Sequence, residues 1–252
     1  MENEIKNIQN WIKEKVENTK TDGVVLGISG GIDSAVIAYL ATNALGKDKV
    51  MGVLLPCESS ENSLTDAQKV VNALGIKAFK VDLTNKYKGF KNMFGEETKT
   101  FANANIKSRL RMVTLYAFAN QYNMLVIGTT NKTEALTGYY TKFGDGGVDI
   151  EPIADFYKTE VYKMAEILGI PEEIINKAPT ADLGITSTDE EEFSKVIGEP
   201  ITYKEIDMIF QHMVDGEDID MSNISKTKIK GVLDLMFRTE HKRNTPSSYE
   251  RN

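Results

Sequence analysis

The chain has 252 residues, 41% hydrophobic and 27% charged, the balance of an ordinary globular protein with length for one large α/β domain and too little for two. Its 37 acidic against 30 basic residues give a formal charge of −7, and no apolar run approaches the roughly 20 residues of a membrane helix, so neither a nucleic acid nor a membrane is the expected partner. The opening residues lack a secretory pattern and the single cysteine, Cys57, excludes an internal disulfide framework and a cysteine zinc site, which points to a reducing cytoplasm.

Residues 5–20 set Ile5, Ile8, Trp11, Ile12 and Val16 on one stripe at helical spacing, predicting an amphipathic helix laid on the core. The period then changes. Residues 22–28 form a short, continuous apolar run closed by glycines, as in a strand buried on both faces of a parallel sheet. Similar runs recur at 49–55, 77–83 and 124–128, with helical patterns between them at 34–45, 63–74 and 105–120. Gly46 and Gly75 fall just past two of these helices, where a left-handed cap is common. The alternation predicts an α/β fold: a doubly wound parallel sheet with helices on both faces. Ligands bind such sheets outside the carboxyl ends of the strands, where 29–34, 56–62 and 129–149 fall. Further helices are predicted at 158–168, 203–214 and 225–237. The stretch 182–199 combines Gly184 and Gly198 with clustered acids and is expected to form a mobile lid.

In Gly27-Ile28-Ser29-Gly30-Gly31-Ile32-Asp33-Ser34 a strand gives way to a helix, so successive backbone amides and the positive end of the helix dipole face one point. Gly30 and Gly31 let the backbone approach phosphate oxygens closely, and Ser29 and Ser34 add hydroxyl donors. Asp33 is the odd member. A carboxylate beside a bound phosphate repels it unless a divalent cation lies between them, which marks Asp33 as a magnesium ligand. A glycine-rich turn between strand and helix is common by itself, and this one is neither GxxxxGK[ST] nor GxGxxG. The full string is similar to the SGGxDS signature of the ATP pyrophosphatases, which split ATP to AMP and pyrophosphate and use the loop to grip the departing pyrophosphate.

The resemblance extends further. Residues 128–149, Gly-Thr-Thr-Asn-Lys-Thr-Glu-Ala-Leu-Thr-Gly-Tyr-Tyr-Thr-Lys-Phe-Gly-Asp-Gly-Gly-Val-Asp, resemble the central signature of the ammonia-dependent NAD synthetases. With 105–112 (Asn-Ile-Lys-Ser-Arg-Leu-Arg-Met), Pro179-Thr180-Ala181-Asp182-Leu183 and Glu240-His241-Lys242-Arg243, it spans nearly the whole chain in order. It implies a single domain of the adenine nucleotide alpha hydrolase-like fold in which ATP adenylates the nicotinate carboxylate of deamido-NAD and ammonia then displaces AMP. The family's ATP contacts fall on 27–34, Thr129, Lys158 and Thr180. Its magnesium ligands fall on Asp33 and Glu134, and its deamido-NAD contacts on Arg109, Lys142, Asp149, His241 and Lys242. Asp33, Glu134 and Lys158 would carry catalysis. The resemblance also implies a homodimer with the deamido-NAD pocket at its interface, and a tail at 238–252 folded over substrate. Glutamine-using members carry an amidase domain for which this chain has no spare length, so free ammonia is the expected nitrogen source.

From local sequence alone, Lys158 and Glu134 would read as solvated helix surface, Arg109 as one of a basic pair on an exposed face, and His241 as solvated. The helix around Met112, Val113, Leu115, Tyr116 and Phe118 has an apolar face wide enough for both a core and a partner helix. In one place the resemblance lapses: where many members carry an arginine after the second strand, this chain reads Val53-Leu54-Leu55-Pro56-Cys57, with Cys57 expected as a small buried residue. Two rival readings share the loop. One is another ATP pyrophosphatase, amidating or thiolating a different acceptor, against which the single cysteine and acidic balance tell. The other is a nucleotide sensor, which has no need of Asp33, Glu134 and Lys158 together.

Overall fold

The structure, a computed structural model, describes residues 1–94, 99–180 and 188–249. Helix α1 (Glu2–Thr19) buries Ile5, Ile8, Ile12 and Val16, with Trp11 half-buried beside them, and Lys20 closes it in the left-handed conformation. Strand β1 (Gly23–Gly27) follows, then α2 (Ile32–Leu45), β2 (Val50–Leu54), α3 (Glu61–Leu74) and β3 (Lys77–Lys80). Helices α4 (Thr84–Asn92) and α5 (Thr100–Tyr122) lead to β4 (Met124–Val126) and the short α6 (Lys132–Thr137). The further described elements are helices: α7 (Lys158–Leu168), α8 (Glu172–Ile175), α9 (Asp189–Ile197), α10 (Tyr203–Met213), α11 (Lys226–Arg238) and α12 (Glu240–Arg243).

The four strands are parallel in the order β3-β2-β1-β4, with Val24 opposite Val50 and Leu125. Alternate residues of one strand serve opposite faces. Val24 and Leu26 join α1, α2, α3 and α7 in one apolar cluster, whereas Val25, Met51, Val53 and Val126 join α4 and α5 in another. This two-sided demand explains the unbroken apolar runs and gives the doubly wound sheet expected from them. A third cluster, built on Phe193, Tyr203, Ile206, Phe210 and Val232, packs α9, α10 and α11 against α6 and α7.

Several boundaries differ from the sequence reading. β4 ends at Val126, although the Ile127 amide still donates to the Val25 carbonyl (3.1 Å) and Ile127 pairs with Ile150; along its outer edge the Val126 amide donates to the Asp149 carboxylate (2.8 Å) and the Asp149 amide to the Val126 carbonyl (2.9 Å). β3 ends at Lys80, although the Val81 amide still donates to the Leu54 carbonyl (2.9 Å). Helix α4 was not anticipated, since it buries only Tyr87; it starts where the Thr84 amide donates to the Asp82 side chain (2.8 Å). Of the expected lid, 182–187 lies outside the described residues, and 189–197 is helix α9, anchored by buried Phe193 and Ile197. Cys57 is fully buried, and burial pushes its thiol up. Among the described residues no helix is long and apolar enough to cross a membrane.

Candidate active site

β1 delivers the chain to the glycine loop at the carboxyl edge of the sheet, and α2 leaves from it with Gly31 as N-cap. Gly30 sits at φ +80°, and a Cβ there would fall 2.4 Å from the Ser63 carbonyl oxygen, so only glycine lets the loop lie against α3. The two serine hydroxyls lie 3.0 Å apart; Ser34 donates to the Gly31 carbonyl (3.0 Å) and Ser29 accepts from the Gly31 amide (3.2 Å). Backbone and hydroxyl donors thus converge on one turn at a helix N-terminus, an arrangement that favours an anion.

Beside the loop, Lys158 is only 1% exposed, with its Nζ 2.5 Å from Asp33 Oδ2 and 3.4 Å from Glu134 Oε1. A lysine this deep requires opposite charge and hydrogen bonds. Burial works against its ammonium, but Asp33 and Glu134 outweigh it and hold the group above the usual lysine range. For Glu134 the signs reverse: burial, joined by the adjacent Asp33 carboxylate, raises its carboxyl to about 8 against the pull of Lys158. Asn131 donates to Asp33 Oδ1 (2.9 Å) and, with Glu134, forms the capping box that starts α6.

A continuous cavity of about 520 Å³ runs from this cluster across the sheet edge. Gly27, Ile28, Ser29, Gly31, Ile32, Asp33 and Ser34 line it, as do Thr129, Glu134, Lys158, Thr180 and Lys242. Lys242 donates to the Gly138 (2.6 Å) and Tyr140 (2.7 Å) carbonyls, and burial lowers its pKa. Arg109, Lys142, Asp149 and His241 do not line the cavity. Three of them meet elsewhere: Arg109 donates to the Lys142 carbonyl (3.2 Å), and Lys142 to the carbonyl of exposed His241. Asp149 is held apart, its carboxylate accepting from Tyr116 (3.0 Å) as well as from the Val126 amide.

Sequence reasoning missed the groups that hold Lys158. Its Nζ lies 5.2 Å from the Tyr203 ring centroid, and Tyr203 and Tyr139 both donate to buried Asp189 (3.0 Å each). Asp207, also buried, accepts from the Thr133 hydroxyl (2.5 Å) and the Thr159 amide (2.9 Å), while Thr133 accepts from the Lys158 amide (2.9 Å). The Asn-x-x-Glu spacing at 131–134 could have announced α6; nothing local distinguishes Asp189 or Asp207 from solvated acids. Arg111 was missed as well. From α5 it donates to the Leu55 carbonyl and the Ser59 hydroxyl (3.2 Å each), bringing a guanidinium to the segment whose own sequence lacks one.

A phosphate loop on a parallel sheet, faced by a buried lysine between two carboxylates, defines an α/β nucleotide-binding enzyme. The chain belongs to the NAD synthase family, whose family model matches residues 4–246. It is 43% identical to an NH(3)-dependent NAD(+) synthetase of Thermococcus sibiricus, over 96% of this chain and 94% of that one. It is also 43% identical to the protein of that description from Methanocaldococcus jannaschii, with 99% and 97% covered. Among solved structures, an NMN synthetase from Francisella tularensis superposes with a TM-score of 0.88 at 33% identity, covering 99% and 98% of the two chains. The NH3-dependent NAD synthetase from Campylobacter jejuni in complex with nitrate gives 0.84 at 30%, with 99% of each covered.

Proposed function

We infer that the chain is an ammonia-dependent NAD synthetase, a ligase that spends ATP to AMP and pyrophosphate in forming a C–N bond. The carrying observation is Lys158 lodged between Asp33 and Glu134 at the mouth of the Ser29–Ser34 turn. A carboxylate is a poor electrophile, so the nicotinate oxygen of deamido-NAD first bonds to the α-phosphorus of ATP as the bond to pyrophosphate breaks. Ammonia then attacks the activated carbonyl carbon, loses a proton and expels AMP. The amides of the loop, the Ser29 and Ser34 hydroxyls, Thr129 and Thr180 hold the nucleotide, and Lys158 meets the phosphate charge that builds during transfer.

Magnesium suits the donor set. Asp33 and Glu134 already converge on one cation, Lys158, and among the described residues no cluster of three or more His, Cys, Asp or Glu stands ready as a closed metal site. Two carboxylates with phosphate oxygens and water completing the shell is how magnesium is commonly held beside nucleotides. Bound there, the ion neutralises phosphate charge. Arg109, Lys142, Asp149, His241 and Lys242 are proposed to bind deamido-NAD. The stretch 182–199 is proposed as the lid, 238–252 as the substrate-covering tail, and the cytoplasm as the compartment.

A homodimer through α4 and α5 completes the reading. Met93, Phe94, Phe101 and Val113 are 74%, 65%, 61% and 60% exposed, and Phe101 also lines the cavity, so the apolar face and the site adjoin. The likeness to an NMN synthetase makes nicotinate mononucleotide the competing acceptor, so both acceptors belong in the test. Purified protein with magnesium, ATP, ammonium and deamido-NAD should release AMP and pyrophosphate in step with NAD. Faster turnover of the mononucleotide would transfer the substrate assignment. Asp33→Asn and Glu134→Gln should each lower the rate at least about a hundredfold with folding intact, and wild-type activity would remove that residue from the metal site.

A further inference from the structure

Around the phosphate loop one buried ammonium, Lys158, already faces two carboxyl groups, Asp33 and Glu134, which makes it a poor sole counterion for a triphosphate. A second cation stands at the Gly30 carbonyl of the loop. Lys177, just past α8, has its Nζ 2.9 Å from Asp66 Oδ2 and 3.5 Å from the Gly30 carbonyl oxygen, and it lines the same cavity as Ser29, Gly31 and Ser34. Its side chain is 24% exposed, so it is neither locked in the core nor fully solvated.

Two features make this ammonium free to move. Asp66 does not depend on it: Lys69, one turn along α3, lies 3.2 Å from the other carboxylate oxygen and is itself paired with Glu173 at 2.9 Å. When Lys177 departs, Asp66 keeps a partner and no buried charge is stranded. The chain from 176 to 180 is neither helix nor strand and leads to Thr180, which also borders the cavity. A compact charge on a flexible four-carbon stem suits a ligand that must be gripped and then released.

We propose that Lys177 binds the pyrophosphate half of the nucleotide, leaving Asp66 for the anionic tail and holding it as it departs. This rests on the ATP-cleaving reaction proposed above, but not on which acceptor is used. The structural alternative is a latch, Lys177 fastening 176–180 to α3.

The two are separated by titration calorimetry of the full chain with magnesium pyrophosphate and with a non-hydrolysable ATP analogue, no acceptor being present. Lys177→Gln should weaken pyrophosphate binding at least about tenfold, the size of one charged hydrogen bond. Lys177→Arg should keep most of the affinity. Asp66→Asn, which frees the lysine, should bind pyrophosphate at least as tightly as wild type, and thermal melts verify that each variant is folded. Pyrophosphate affinity of Lys177→Gln within twofold of wild type overturns the proposal, as does an Asp66→Asn loss equal to that of Lys177→Gln, which would assign the residue to the latch. If wild type binds neither ligand, the ATP reading falls with it; if wild type binds and only the lysine substitution is silent, Lys177 alone loses its role.

Discussion

Lys158 owes its place in the interior to two carboxylates, and each carboxylate to it. Lys158→Met should therefore abolish turnover and cost about 3–5 kcal/mol of stability, because it removes the ammonium that both buried carboxyl groups face. The cost should be smaller at pH 6 than at pH 8.5, where Glu134, its carboxyl raised to about 8, is no longer held protonated; urea denaturation at the two pH values measures this. Glu134 supplies a second pH signature. Its folded pKa is raised from 4.5 to about 8, so the folded state binds the proton more tightly, and the associated stability is complete below 4.5 and lost as pH climbs through 8. Between pH 6 and 9 the melting temperature of the wild type should fall more steeply than that of Glu134→Gln. At this scale the sequence was legible only through motifs: Asp33, Glu134 and Lys158 were named from their signature, whereas the Asp189 and Tyr203 side chains that shield them come from helices whose local pattern reads as ordinary surface and core.

Helices α6 and α7 each deliver one member of the charged cluster, and their mutual placement depends on a third helix. Asp207 on α10 holds the Thr133 hydroxyl and the Thr159 amide, stitching the start of α6 to the start of α7. Asparagine offers one acceptor where two are needed. Asp207→Asn should cost about 1–3 kcal/mol and lower kcat more than it raises the KM for ATP, as steady-state kinetics and thermal melts would show. Elements with strong two-sided or one-sided apolar patterns, such as β1, β2, α1 and α7, could be read from the chain. Those fixed by a polar contact, such as the start of α4 at Asp82 or the covering of the β4 edge by Asp149, could not, since the partner's position is a product of the fold.

Among the described residues the sheet and α9–α11 bury apolar clusters, and the largest group of exposed apolar side chains, Met93, Phe94, Phe101 and Val113, lies along α5 and the end of α4, beside single exposed residues such as Phe237 on α11. Sedimentation should report a dimer, and Phe94→Glu combined with Val113→Glu should give a monomer with a higher KM for deamido-NAD but unchanged pyrophosphate affinity; a wild-type monomer at micromolar concentration would refute the assembly. The separation of Asp33 from its partners along the chain has one more outcome. Asn131 lies 98 residues beyond it and Lys158 lies 125. Asp33 therefore has neither its amide donor nor its ammonium until synthesis has passed Lys158, so the charged cluster is completed only by chain made well after the loop itself.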